Sequence, residues 1–280
     1  MSDKMRFLLF ADDTTIFMKG QNFDEMTSTV NEELIKVSDW IKSNKLTINI
    51  SKTFYMVSCF TNTNLPNINI KFNNHSLCKV DHIKFLGVYI DEKLTWKPHL
   101  NHLCTRMSQI TGIIYRIRNC ITADCLRLVY MSTVYPHLLY CAAIWGGAFQ
   151  TLLERLFICQ KKIIRVMCFK SKYEHTNSLF CELKLLKLPD IIFQQTCIFV
   201  FKSLYVFPFN TTFQLLSVNP YTRRPHDIRI PYCRIVHAQR SVSVRGARSW
   251  NNLPQETKSI TSLNLFKNKV KISILNTYDQ

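Results

Sequence analysis

Two β-prone runs, residues 6–10 (RFLLF) and 14–18 (TTIFM), stand three residues apart, and Ala11, Asp12 and Asp13 fill the gap. Runs so short, so apolar and so close have room for a hairpin, which puts the two carboxylates at its turn. The next segment supplies the layer above it. Met26, Val30, Leu34, Val37 and Ile41 recur at spacings of 4, 4, 3 and 4, one face of a helix, with Asn22 or Asp24 placed to cap its start. That helix stops near Ser43 and Asn44. Leu46, Ile48 and Ile50 then alternate into FYMVSCF, which reads as a strand pair or a bent strand. Strand, strand, helix, strand is the pattern of an α+β layer in which a helix covers a small sheet.

Ile68, Ile70 and Phe72 alternate up to an Asn73-Asn74 turn, and a second β segment, HIKFLGVYID, follows Val80. Residues 66–92 therefore read as another antiparallel hairpin. From Pro98 the pattern turns helical. Leu100, Leu103, Met107, Ile110, Ile113 and Ile117 form a stripe, and the other face carries His99, His102, Arg106, Arg116 and Arg118. Two more helical segments are predicted at about 122–135 and 151–168, the second bearing Lys161, Lys162 and Arg165. Between Thr222 and Trp250 stand seven arginines (223, 224, 229, 234, 240, 245 and 248) against one acid, Asp227; Pro225 and Pro231 predict short strands and loops there. The expected organisation is hairpins with a covering helix over 1–92, a helical region over 93–148, and a helical then arginine-rich region over 149–280.

Charge and composition narrow the function. Lys and Arg number 36 and Asp and Glu 19, a net charge of +17, which points to a polyanionic partner. Hydrophobic residues make up 47%, enough to bury a core, so disorder is not the expected state. The apolar stretch near Met5 is too short for a signal-peptide core, and no run approaches the ~20 apolar residues of a membrane span. The eleven cysteines include no CxxC, and Cys233 with His237 is a lone pair, so a structural zinc site is not expected. Reduced thiols, no membrane and an intracellular place in nucleus or cytoplasm are the expectation.

Several residues suit chemistry. Adjacent carboxylates on a tight turn repel each other, and a divalent cation relieves them; phosphoryl transfer by paired metals needs carboxylates held that rigidly. The alternative for Asp12 and Asp13 is an acidic surface turn. Lys52 lies in the turn after TINIS, where it would meet a triphosphate or protonate a leaving pyrophosphate; the alternative is a solvated lysine. Phe85-Leu86-Gly87 with Asp91 suits a hairpin touching a nucleic acid strand, or an ordinary core strand with a glycine bulge. The arginine-rich surfaces, interleaved with Tyr221, Tyr232 and Trp250, suit phosphate contact with base stacking, or a solvated basic face.

Taken in order, these segments resemble a known family. FADDTTIF looks like the aspartate hairpin of reverse transcriptases, with Phe10 where tyrosine is more usual. NKLTINISKTFYMV resembles the next segment of the non-LTR (LINE-type, jockey-like) retrotransposon enzymes, and IKFLGVYIDEKLTWKPHL resembles their primer-grip hairpin running into the thumb. LVYMSTVYPHLLYCAAIWG and SVRGARSWNNLP are similar to the later part of the same polyproteins. The resemblance implies a partial polymerase palm over 1–92, a helical thumb over 93–148 and a basic C-terminal region. It implies that Asp12 and Asp13 bind catalytic Mg²⁺, that Lys52 is a general acid, and that Phe85, Gly87 and Tyr89 lie on the primer grip. Arg106, Arg116, Arg118, Lys161, Lys162, Arg165, Arg223, Arg224, Arg245 and Arg248 are the candidates for contact with RNA template and DNA primer or duplex. In the family a further metal-binding aspartate and the nucleotide-gripping fingers come before this hairpin, which here stands at the start of the sequence. Magnesium binding is therefore expected to be weak, deoxynucleoside triphosphates to bind only with the upstream parts, and the isolated chain to be inactive. The other reading is a non-catalytic, basic nucleic-acid-binding protein of the same element.

Overall fold

Apolar runs on both sides of Ala11-Asp12 pair across them. In the computed structural model, β1 (Met5–Phe10) and β2 (Asp13–Met18) run antiparallel in one register, from Met5 opposite Met18 to Phe10 opposite Asp13. Ala11 takes a left-handed backbone (φ 51°) to make the reversal. Residues 5–59, 68–73, 75–206 and 227–278 are described, and the chain divides into two units, Met1–Leu94 and Thr95–Gln280.

In the first unit α1 (Phe23–Ser43) starts where Asn22 accepts hydrogen bonds from the backbone N–H groups of Asp24 (2.9 Å) and Glu25 (3.5 Å). Leu34 and Val37 on its inner face are buried with Ile70 and Phe72. Asn31 pins the helix to that segment: its amide donates to the Asn69 carbonyl (3.1 Å) and accepts from the Lys71 N–H (2.8 Å). β4 (Lys71–Phe72) pairs with β5 (His75–Ser76), while β7 (His82–Phe85) pairs with β8 (Val88–Asp91). The single hairpin expected over 66–92 is thus two. The alternating Leu46, Ile48 and Ile50 form no strand. Leu46 is 55% exposed, and a 3₁₀ turn, Ile50–Lys52, follows because the Asn49 side chain captures the Ser51 N–H (3.1 Å), a local alternative to a strand ladder. β3 (Phe54–Tyr55) then pairs in parallel with β6 (Cys78–Lys79).

The second unit is helical. α2 (Lys97–Ile117) carries Pro98 in its first turn, and its buried stripe is Leu100, Leu103, Met107, Ile110 and Ile114. Ile114, not the expected Ile113, faces inward: at 3.6 residues per turn a step of four from Ile110 keeps the stripe straight, and Ile113 is 56% exposed. α3 (Ala123–Thr133) and α4 (Tyr135–Leu139) divide the predicted 122–135 segment just before Pro136, which has no N–H to continue a helix. α5 (Ala142–Trp145), α6 (Gln150–Met167), α7 (Asn177–Glu182) and α8 (Leu188–Tyr205) follow. α8 buries Leu188, Ile191, Ile192, Cys197, Ile198, Val200 and Phe201, a helix apolar nearly all round and so a central one.

The loops expected between Thr222 and Trp250 appear over residues 227–235, with an isolated bridge at Ile228, but beyond them the described residues are helical rather than short strands. There α9 (Val236–Gln239), α10 (Val242–Asn251), α11 (Gln255–Lys258) and α12 (Leu263–Asn276) form. Ser241 caps α10 by accepting from the Val244 N–H, and Val244, Ala247 and Trp250 fall at helical spacing on its buried side. Trp250 stacks on Phe266 (centroids 5.6 Å apart) and Phe266 on Phe201 (4.6 Å), joining α10, α12 and α8. A single core therefore runs from Leu100 to Ile274, across the position 148 where a regional border was expected.

Candidate functional site

The first unit presents its carboxylates at a hairpin tip. Asp12 lies in the turn and Asp13 closes the ladder opposite Phe10; both are exposed. Their positions follow from the strands: Asp12 occupies the two-residue turn and Asp13 begins β2, so both stand at the end of the ladder. No group of three His, Cys, Asp or Glu side chains able to hold a metal occurs among the described residues. Lys52 sits exposed at the end of the 3₁₀ turn in the same unit.

The β7–β8 hairpin also has a definite geometry. Leu86 (φ 43°) and Gly87 (φ 85°) both take positive φ, the pattern of a type I′ turn, so Gly87 makes the reversal rather than a bulge. Phe85 and Tyr89 are half-buried on either side, and Tyr89 lies near His82 (centroids 6.1 Å).

The basic candidates separate into two kinds. Arg106 and Arg116 on α2 and Lys162 on α6 are exposed. Arg118 is half-buried: it donates to the Val166 carbonyl (3.1 Å) and lies over the rings of Tyr115 (4.4 Å) and Phe169 (4.7 Å). Lys161 lies over Phe157 (4.2 Å), and Arg165 donates to the Glu174 carbonyl (2.8 Å). Arg248 on α10 is exposed. Arg223 and Arg224 lie outside the described residues.

Arg245 has a different place from the one the sequence suggested. It donates to the backbone carbonyls of Ala143 and Arg240 (2.5 and 3.1 Å), and burial, with the Arg240 charge adding, pulls its guanidinium down to about 10. Arg240 donates to the Gly147 carbonyl (2.7 Å) and lies 3.7 Å over the Phe149 ring. The two arginines thus tie α10 to the carbonyls around α5. Sequence reasoning counted them with the basic surface. The available signal was the spacing in SVRGARSW: Arg245 is one residue from buried Val244, whereas Arg248 falls on the outer side.

Two polar clusters escaped the sequence altogether. Gln160 is fully buried on α6; its amide donates to the Tyr130 hydroxyl (2.8 Å) and the Leu186 carbonyl (2.9 Å) and accepts from the Leu188 N–H (2.8 Å). Lys258, 1% exposed, pairs with Asp227 at 2.6 Å and donates to the Asn251 carbonyl. A buried Gln and a buried Lys in helical segments have no sequence signature apart from the apolar residues around them.

Comparison with known proteins gives this arrangement a context: the chain is related to the RNA-directed DNA polymerases of mobile elements. Over 187 residues it is 27% identical to the RNA-directed DNA polymerase from mobile element jockey of Drosophila funebris, covering 65% of this chain and 20% of that one. It is 28% identical over 204 residues to the probable RNA-directed DNA polymerase from transposon BS of Drosophila melanogaster (70% and 22%), and 22% identical over 192 residues to that from transposon X-element (68% and 21%). The jockey-like resemblance read from the sequence is borne out. The chain spans about a fifth of the length of the curated relatives it matches. No family model matches it, and no solved structure does.

Among the described residues no helix is long and apolar enough to cross a membrane.

Proposed function

We propose that this chain supplies a paired-aspartate turn and a basic helical body to an RNA-directed DNA polymerase of a mobile element. The observation that carries the reading is the presentation of Asp12 and Asp13, side by side and exposed, at the tip of a fully registered hairpin, in a chain related to such polymerases. Carboxylate oxygens are the right donors for Mg²⁺, which is commonly held through one or two carboxylates with water and phosphate completing its shell. Bound there, the ion would neutralise charge developing on a transferring phosphoryl group. Two carboxylates are fewer than a two-metal centre needs, and the described residues bring no third ligand to them. Transition-state charge would thus be poorly stabilised by this chain alone, and it is inactive in isolation.

In this reading Lys52 donates a proton to the departing pyrophosphate. Phe85, Gly87 and Tyr89 present the tip of β7–β8 to the primer. Arg106, Arg116 and Lys162 face the phosphates of the template–primer duplex. Arg118 and Arg165, already engaged with rings and carbonyls, hold the ends of α2 and α6, and Lys161 lies over Phe157 within α6.

A second reading, a non-catalytic nucleic-acid-binding protein, is favoured by the exposed cations of α2 and α6, which need nothing from the hairpin. One experiment tests both: anisotropy of a labelled RNA–DNA primer–template between 50 and 200 mM salt, with and without Mg²⁺, followed by primer extension. Both readings expect affinity to fall by roughly 10³-fold or more if six or more phosphates are contacted; affinity flat with salt overturns both. Tighter binding with Mg²⁺ that Asp12→Ala abolishes supports the polymerase reading, and a Mg²⁺-independent affinity supports the second. Extension by the isolated chain, lost in Asp12→Ala, would overturn its inactivity.

A further inference from the structure

The ends of α2 and α6 carry rings that the core does not use. Tyr115, in the last turn of α2, is 58% exposed, Phe169, just beyond α6, is 56% exposed, and Tyr173, in the loop that follows, is 80% exposed. None of the three belongs to the core cluster of the second unit. Arg118 joins the first two. Its guanidinium carbon lies 4.4 Å from the centre of the Tyr115 ring and 4.7 Å from that of Phe169, and its Nη1 donates to the Val166 carbonyl (3.1 Å). The Arg118 Nε–H is buried with no hydrogen-bond partner among the described residues, so the two rings and one carbonyl hold this side chain. Arg165 donates to the Glu174 carbonyl (2.8 Å) and draws the loop bearing Tyr173 back to the last turn of α6. The Lys172 ammonium lies 4.8 Å over the Tyr173 ring.

Phe169 holds its place against backbone preference. α6 ends in a Schellman turn, in which the Lys170 N–H donates to the Arg165 carbonyl (2.9 Å) and the Phe169 N–H to the Val166 carbonyl (3.4 Å). That turn needs a left-handed residue, and Phe169 supplies it at φ 55°, where glycine would sit without strain. A bulky ring at such a position, more than half exposed and covered by an arginine, gains little from burial. Strain of this kind is characteristic of a contact with something outside the chain.

We propose that Tyr115, Phe169 and Tyr173 form a stacking platform for single-stranded nucleic acid at the ends of α2 and α6. Every unpaired base offers a flat face to a ring, whatever its identity, whereas in a duplex those faces are already stacked on neighbouring pairs. Lys170 and Lys172, both exposed, stand between Phe169 and Tyr173 in the chain and supply charge for the phosphates; Glu174 is the acid of the same loop. Arg118 fixes the two rings it touches. The net charge of +17 favours a polyanion here over an apolar or cationic partner. Other lysine–ring pairs differ: Lys161 over Phe157 and Lys187 over Tyr278 each meet one half-buried ring. The platform needs neither the aspartate hairpin nor Mg²⁺, and its ligand differs from the duplex assigned to Arg106, Arg116 and Lys162.

The test measures anisotropy of the full chain with a labelled oligodeoxyadenylate and with an abasic strand of the same length and charge, at fixed salt and without Mg²⁺. The bases are expected to tighten binding by about tenfold or more. Phe169→Gly removes the ring and relieves the backbone, so its melting temperature should hold or rise while the preference for the base-bearing strand falls. Tyr115→Ala and Tyr173→Ala should lower that preference too, and all three variants should bind a labelled duplex as the native chain does. A native chain that prefers the base-bearing strand but binds no duplex would support the platform and overturn the duplex reading alone. Equal affinity for the two strands, or ring variants that keep the native preference, would overturn the proposal. Binding of labelled polyglutamate that the same variants lose, with no preference for bases, would also overturn it and assign the rings to an acidic protein partner.

Discussion

The two units of this chain keep their apolar residues in different ways. Under α1 the first groups Leu34, Val37, Ile70 and Phe72, and it leaves Leu9 72% and Phe10 59% exposed beside the aspartate turn. Among the described residues the second buries thirty-four side chains in one cluster, including Trp145, Trp250, Phe180 and Phe201 at 0% exposure. The carboxylates thus sit on an element held by strand register and little core, whereas the cations sit on helices anchored in a large one. Chemistry and stability are separable here. Substitutions at the hairpin tip should change what the molecule binds without unfolding it, and substitutions under the basic helices should do the reverse.

The largest effect should come from the second unit. Trp250→Ala removes the ring that stacks on Phe266 and lies tilted against Tyr205, and is expected to cost about 3–5 kcal/mol in denaturant unfolding followed by circular dichroism. A loss below about 1 kcal/mol would show that the core does not depend on this stack.

Acid should come next. His99 is buried against Trp145 (centroids 5.9 Å), and burial, with His102 adding less, pushes it from 6.5 down to about 4. Because the folded value lies below the unfolded one, the unfolded chain takes up the proton first. Stability is complete above about 6.5 and falls as the pH drops toward about 4, by on the order of 2–3 kcal/mol. Melting points across that range should show the slope in the native chain and a flatter one in His99→Gln; equal slopes would remove His99 as the cause.

Smallest is the cap of α1. Asn22→Ala frees the N–H groups of Asp24 and Glu25 and should cost about 1 kcal/mol, read as faster hydrogen exchange in α1 and unchanged exchange in α8. A change that spreads equally to α8 would break the separation between the units.

The sequence revealed local features and missed those that depend on distant partners. The first hairpin, α1 with its Asn22 cap, and α2 from Pro98 rest on spacing, turn chemistry and capping within a few residues, and all three were legible. The alternation of Leu46, Ile48 and Ile50 misled because a strand needs a neighbour's backbone, which no spacing along the chain reports. The arginine-rich segment misled in another way. Charge count described its outer face, including Arg248, but Arg245 turns inward to the Ala143 carbonyl, 102 positions away. Gln160 and the Lys258–Asp227 pair were invisible for the same reason: each is defined by what the fold brings opposite it. At the candidate site Asp12 and Asp13 were readable from their turn, whereas the partners of Arg118, Lys161 and Arg165 were not.

Two glycines show how unevenly the fold constrains its own gene. A side-chain carbon at Gly147 would stand 2.4 Å from the backbone oxygen of Arg240, which itself is held by its own guanidinium to the Gly147 carbonyl; at Gly112, on the open side of α2, the same carbon would meet nothing within 4 Å. In a saturation library sorted for folded protein, codon 147 should return glycine almost alone. Codon 112 should drift freely, with alanine enriched over the parent because it is the better helix former by up to about 1 kcal/mol. Two glycine codons thirty-five positions apart would carry opposite mutational records, and sequenced copies related to this chain would date their decay faster at one than at the other.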